Sequence, residues 1–280
     1  GDLDGDGAHE LVVGAPGDDD ARPDGGALYV LFLERNGSLK RFTKISDGTA
    51  GFFPGVVHFQ LGQRLEALDD LDGDGRRELA VSAGLKVFVL FLDENGQVRQ
   101  TTQLDRGRAP SLGTIGQALA FLERTSANPR RVLGSLGTLA NGATALQFLE
   151  LDSQGQIVSG VGRAISGPTE LASAGDLDGN GTGDIGFLRF GQLTVEFQTP
   201  SFGLQDQQVF ATTGQTRALA ALGDLTGDGL ADLAIGVVLQ GLSDRVLLFS
   251  MDGIATVGFE ERDAIDDEIL ENGRAIPRPH

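Results

Sequence analysis

Asp2, Asp4, Asp6 and Glu10 stand at positions 1, 3, 5 and 9 of a nine-residue run, Asp-Leu-Asp-Gly-Asp-Gly-Ala-His-Glu. The run returns three times, with Asp70, Asp72, Asp74 and Glu78, with Asp176, Asp178, Asn180 and Asp184, and with Asp224, Thr226, Asp228 and Asp232. Side-chain oxygens at these spacings can converge on one cation, with a backbone carbonyl at position 7 filling in. Hard oxygen donors in a flexible loop suit calcium, which takes about 6–8 of them. Magnesium wants fewer protein ligands in a tighter octahedron, and the thiolates or clustered histidines of a zinc site are absent. The glycine at position 6 allows the sharp turn. An EF-hand does not fit, because its loop of about twelve residues joins two helices. Here position 9 leads straight into an apolar run.

Charge points the same way. The net charge is −18, and the four loops hold fourteen of the 40 acids. Three or four carboxylates in one small loop repel one another strongly without a counter-ion. A chain this acidic is a poor nucleic-acid binder, because phosphate repels it, and it is expected to avoid anionic membrane surfaces. With no cysteine there is no disulfide frame and no thiol nucleophile. No apolar run is long enough to span a membrane. Extracellular calcium modules typically bind at roughly 10⁻⁴–10⁻³ M, full outside a cell and empty in the cytosol. The expected setting is therefore extracellular or cell-surface, with this chain a part of a longer exported protein. The carboxylate count ranks the first two loops as the tighter binders.

The elements that hold these loops repeat as well. Apolar runs follow them: Leu11–Ala15, Leu79–Ala83, Ile185–Leu188 and Leu233–Val237. Second runs follow at Ala27–Leu33, Val87–Leu92 and Val246–Phe249, and third runs at Leu39–Ile45 and Val98–Leu104. They are short and rich in β-branched and aromatic residues, so they read as strands. Asn36-Gly37, Asn95-Gly96 and Asp252-Gly253 mark hairpins whose central residues both need positive φ. A further strand precedes each later loop, at Gly62–Leu68, Gly116–Leu122 and Gly214–Leu222. The interval from 70 to 176 is wide enough for two units. Arg130-Arg-Val-Leu-Gly-Ser135 resembles Arg76-Arg-Glu-Leu-Ala-Val81, which places a decayed copy near 124. Arg124, Ser126, Asn128 and Val132 then replace the acids, and no metal is expected there.

Repeats starting near 2, 70, 124, 176 and 224, each with four strands and no helical period, predict an all-β fold. The chain reads as one β-propeller over residues 1–280, with about five four-stranded blades. The first unit lacks its leading strand. Gly273–Ile276 resembles that strand and is expected to pair into the first blade and close the ring. The alternative is that residues 270–280 open a further blade of a longer propeller.

These residues resemble the FG-GAP repeat of integrin alpha-chain propellers, and within that group the bacterial surface or secreted relatives. The resemblance is carried by the four acidic loops, by Gly14-Ala15-Pro16, and by Leu61-Gly62 and Ile115-Gly116 in place of Phe-Gly. It implies calcium bound between the first two strands of a blade, and adhesion or partner binding on the opposite face. By match, the metal ligands would be Asp2, Asp4, Asp6, Ala8 and Glu10, and Asp70, Asp72, Asp74, Arg76 and Glu78. To these it adds Asp176, Asp178, Asn180, Thr182 and Asp184, and Asp224, Thr226, Asp228, Leu230 and Asp232. Ala8, Arg76, Thr182 and Leu230 would give only carbonyls. Integrins have seven blades and bind ligands with help from a beta chain, so their ligand-binding mode does not transfer.

Nothing resembles a catalytic constellation. His9, His58 and His280 are scattered, and His9 reads as a solvated side chain inside a loop. The chain is expected not to be an enzyme. Two function classes remain for about four calcium sites. One is an adhesion, protein-interaction or scaffold module; the other is a carbohydrate-binding propeller or the non-catalytic accessory domain of a larger secreted enzyme. The partner would be a protein or glycan, with no nucleic acid and no membrane insertion. No tryptophan and a single tyrosine disfavour sugar stacking. Phe52, Phe53 and Phe59 could equally anchor a partner or tuck between blades, and Asp18, Asp19 and Asp20 read as a solvated loop. The stripes Tyr29, Leu31, Leu33 and Phe88, Leu90, Leu92 read as core faces.

Overall fold

The computed structural model describes residues 1–52, 60–122, 129–212, 215–238, 245–249, 270–271 and 274–275. The fold is all-β, built from antiparallel meander sheets of the β-propeller kind. It divides into two compact units, Gly1–Thr169 and Glu170–His280.

The first unit holds three sheets. The first is β1 (Leu11–Ala15), β2 (Ala27–Leu33) and β3 (Leu39–Ile45), with no leading strand among the described residues. The second is β4 (Leu65–Ala67), β5 (Leu79–Ala83), β6 (Lys86–Leu92) and β7 (Val98–Gln103). The third is β8 (Ala118–Leu122), β9 (Val132–Thr138), β10 (Thr144–Leu151) and β11 (Ile157–Ala164). The second unit holds β12 (Pro168–Gly175), β13 (Asp184–Arg189), β14 (Gln192–Gln198) and β15 (Leu204–Ala211) in one sheet. A second sheet comprises β16 (Gln215–Gly223), β17 (Asp232–Val238) and β18 (Arg245–Phe249), and β19 (Leu270–Glu271) pairs with β20 (Arg274–Ala275). The segment expected to complete the first blade thus has its described residues, Arg274–Ala275, in a local hairpin. Asp252-Gly253 lies outside the described residues, as do Arg124, Ser126, Asn128, His58 and His280.

The first acidic run leads into β1, and the other three each join the first two strands of a sheet, β4 to β5, β12 to β13 and β16 to β17. Within the first unit, β6 reads Lys-Val-Phe-Val-Leu-Phe-Leu because both of its faces are covered. Phe88, Leu90 and Leu92 pack with Leu28, Val30 and Phe32 of the first sheet, while Val87, Val89 and Phe91 pack with Leu133, Leu149 and Leu151 of the third. The Phe88 stripe is core, as expected. In β2 the expectation fails by one residue: Leu28, Val30 and Phe32 are the fully buried face, and Tyr29, Leu31 and Leu33 are half-buried. Phe52 is 1% exposed and meets Phe88 edge-on at 5.9 Å, so it is an inter-sheet wedge and not a partner anchor. Phe53 and Phe59 lie outside the described residues. The Asp18–Asp20 loop is pinned, not merely solvated. Lys44 bridges Asp18 and Asp20, and the Tyr29 hydroxyl donates to Asp18 Oδ2 at 3.0 Å.

The hairpins also differ from expectation. Only their glycines have positive φ, +81° at Gly37 and +73° at Gly96, and the pairing slips between Phe32 and Leu33 and between Phe91 and Leu92. Gly37 N donates to Glu34 O and Gly96 N to Asp93 O. This is a type I turn closed by a glycine bulge, which needs one left-handed residue instead of two. Hairpins also latch the sheets: Thr43 Oγ1 donates to Asn95 O in the second sheet's hairpin at 2.6 Å, and the register-equivalent Thr102 Oγ1 to Gln154 O in the third's at 2.7 Å.

Glu66 on β4 ties the second sheet to the third, its Oε1 accepting from Phe121 N at 2.7 Å. Burial pushes its carboxyl up to about 7. The folded state therefore holds a proton that the unfolded chain releases near 4.5, and this stability is present at low pH and lost as pH rises toward 7. Glu66→Gln keeps the acceptor and removes the charge. It is expected to match the parent at pH 4 and to exceed it at pH 8 by about 2 kcal/mol. Urea melts at the two pH values measure this; an equal difference at both would refute it.

Candidate metal centres

One hydrogen-bond pattern builds all four acidic loops. The position 1 carboxylate folds the loop around itself. Asp2 accepts from Gly5 N at 2.7 Å and Gly7 N at 2.9 Å, and Asp70 from Gly73 N at 2.6 Å and Gly75 N at 2.9 Å. Asp176 accepts from Gly181 N at 2.8 Å, and Asp224 from Gly227 N at 2.6 Å and Gly229 N at 2.9 Å. The residue at position 5 accepts from the amide at position 7, so Asp6, Asp74, Asn180 and Asp228 fix Ala8, Arg76, Thr182 and Leu230, each at 2.8 Å. These are Asx turns, which explains why Asp and Asn recur there. At position 9, one oxygen of Glu10, Glu78, Asp184 and Asp232 accepts from the leucine amide at position 2.

The carboxylates are brought together. Oxygens of Asp2, Asp4, Asp6 and Glu10 lie within 4.8 Å of one another, as do those of Asp70, Asp72, Asp74 and Glu78, and of Asp176, Asp178 and Asp184. Among the described residues these are the three such clusters. Asp224, Asp228 and Asp232 keep the hydrogen-bond pattern without forming a fourth, and Thr226 N donates to Asp232 Oδ2 at 3.0 Å. His9 is exposed, outside the cluster around it.

The fit to a hard cation rests on unfilled acceptors. Glu10 Oε1, Glu78 Oε1, Asp176 Oδ1 and Asp232 Oδ1 are buried and accept no hydrogen bond. Glu78 is 1% exposed and Asp232 3%. A buried carboxylate oxygen without a donor is costly unless a cation meets it. Burial, and behind it the neighbouring aspartates, pushes Glu78 and Asp184 up to about 7. In the first loop Lys40 holds Asp6 below the usual carboxylate range.

Comparison with known proteins matches this geometry to a family. Residues 1–31, covering the first acidic loop, β1 and most of β2, match the family described as FG-GAP repeat. Over these residues the chain carries an FG-GAP repeat. Over 145 residues it is 31% identical to integrin alpha-3 of Cricetulus griseus and 30% identical to integrin alpha-3 of Mus musculus. Each match covers 48% of this chain and 13% of the relative, so the chain spans a small part of their length. Among solved structures, a protein of unknown function from Bacteroides caccae aligns with a TM-score of 0.49 at 10% identity, over 92% of this chain and 74% of that one.

The FG-GAP residues have a visible mechanical role. Leu61 and Gly62 lead into the second sheet and lie across the end of the first, where Leu61 bridges Gly26 and is 2% exposed. Gly62, at φ +90°, passes Gly14 of the Gly-Ala-Pro run so closely that a Cβ on Gly14 would sit 2.0 Å from the Gly62 oxygen. Leucine replaces phenylalanine here without losing the buried anchor. What sequence reading missed is the ring of basic and amide side chains over the loops, Lys40, Arg41, Arg99 and Gln205.

Proposed function

We propose that this chain is a calcium-stiffened propeller module for adhesion or protein interaction on the outside of a cell, without catalytic activity of its own. The observation that carries the reading is the position 9 acid. One of its oxygens is locked to the backbone and the other is buried without a donor at Glu10, Glu78 and Asp232. Asp2, Asp4, Asp6, Asp70, Asp72, Asp74, Asp176, Asp178, Asn180, Asp184, Asp224, Asp228 and Asp232 would hold the ions with Glu10 and Glu78. Thr226 and the carbonyls of Ala8, Arg76, Thr182 and Leu230 complete the ligand set. Bound calcium neutralises the cluster and fixes the bend between the first two strands of a blade. The kinship to integrin alpha-3 supports a protein ligand, and the ion's structural place leaves the other face of the blades for it.

Equilibrium dialysis of chelator-stripped protein against millimolar calcium is expected to retain three to four ions per chain. A retained ratio below one would refute the metal reading, and magnesium is expected to compete poorly.

A further inference from the structure

Three strands place one register position over the acidic loops. Lys40 follows Leu39, which pairs with Leu33; Arg99 follows Val98, which pairs with Leu92; Gln205 follows Leu204, which pairs with Gln198. The three are equivalent residues, each the second of its sheet's last strand. Each reaches back to the loop of its own sheet. Lys40 Nζ lies 2.7 Å from Asp6 Oδ2 and 3.4 Å from Asp4 Oδ2. Arg99 Nη2 lies 2.6 Å from Asp74 Oδ2 and 3.2 Å from Asp72 Oδ2. Gln205 Nε2 donates to Asp178 Oδ2 at 2.7 Å.

The geometry is shared but the charge is not. The four carboxylates of the first loop face Lys40 and, at 3.4 Å, Arg41. The four of the second face Arg99 and, at 3.2 Å, Arg76. The three of the third meet neutral amides, Gln205 and the Nδ2 of Asn180 at 2.8 Å from Asp178. Counting these partners leaves two negative charges on each of the first two loops and three on the third. The oxygens held by Lys40 and Arg99 are the oxygens at positions 3 and 5 that a cation needs. An ammonium or guanidinium a few ångströms from a divalent ion repels it, and more so at a partly desolvated site.

We infer that the second residue of the last strand sets each loop's calcium affinity. Lys40 and Arg99 are resident counter-cations that the ion must displace, and Gln205 leaves the third loop the tightest of the three. The order is the reverse of that given by counting carboxylates, and it rests on the calcium reading above. It also divides the labour: the first two loops keep two basic partners each when calcium is scarce, while the third depends on the ion.

Calorimetric titration of calcium into the chelator-stripped chain tests this, with Asp70→Asn and Asp176→Asn assigning the sites. Asp176→Asn is expected to abolish the tightest site. Lys40→Gln and Arg99→Gln should each tighten a weaker site about tenfold, and Gln205→Arg should weaken the tightest about tenfold. Gln205→Lys repeats the last arm should the arginine variant fail to fold. Loss of the tightest site in Asp70→Asn, or last-strand variants whose constants stay within about twofold of the parent, would overturn the inference and leave calcium binding intact. Absence of any calcium heat in the parent would refute the calcium reading and this inference with it.

Discussion

Gly14→Ala is expected to destabilise the first unit by about 3 kcal/mol or more, although it adds a single methyl group. Gly14 lies within β1 and has no left-handed backbone to protect. The cost comes from space. The new Cβ would stand 2.0 Å from the Gly62 oxygen and 2.9 Å from its carbonyl carbon. Neither atom can swing aside as a side-chain tip could. Gly62 is held by its amide, which donates a hydrogen bond to Ser82 O at 3.0 Å, and the amides of Leu61 and Gln60 just before it donate to Gly25 O and Asp24 O. Gly62 cannot retreat either, since its own α-carbon side faces Leu28 and Ala27 at under 3 Å for any added atom. Relief requires the second sheet to lift from the first, which opens the core that Leu28, Leu61, Phe52 and Phe88 share. Gly17→Ala is the control, because nothing lies within 4 Å of its Cβ position, and it should stay within about 0.5 kcal/mol of the parent. Urea unfolding of the two variants decides the matter; equal midpoints would show that the close crossing is not a real constraint.

That crossing explains why so much of the fold could be read from the sequence. A glycine is demanded where backbone passes this close to backbone, as at Gly14 and Gly62, so these glycines recur with the acidic loops and the strand bounds fall between them. Leu11–Ala15, Ala27–Leu33, Leu39–Ile45 and Leu79–Ala83 are the strands that form. The carboxylates were legible because one loop needs all of them within nine residues. What was hidden depends on register. Whether Tyr29 or Val30 faces the core is decided by which side of β2 the second sheet covers, and alternation alone does not say which. Lys40 lies 34 residues from its partner Asp6, and Arg99 lies 25 from Asp74. Their equivalence becomes visible only once the glycine bulge fixes how the last two strands pair. The hairpin type was missed for a related reason, since Asn-Gly serves both a two-residue turn and the bulged form.

Chelation of calcium is expected to lower the melting temperature by about 5–10 °C relative to the same protein in 10 mM calcium. A site held at tenfold above its dissociation constant gains about 1.4 kcal/mol by mass action, so three filled sites contribute about 4 kcal/mol. The sites that count are those whose oxygens already converge, the loops of Asp2, Asp70 and Asp176. The loss should not be uniform. Arg99 and Lys40 return to the first two clusters once the ion leaves, whereas the third keeps only amides against its carboxylates. Asp184, fully buried beside Asp176 and Asp178, must then take up a proton or bear its charge unpaired. Hydrogen exchange without calcium should therefore quicken first at Leu177, Thr182 and Gln198, whose amides bond to loop side chains, and later at Leu71 and Arg76. A melt that chelator leaves unmoved would remove the ion from the stability of the blades. Exchange that quickened equally in every loop would instead keep the ion and strip the basic side chains of their role.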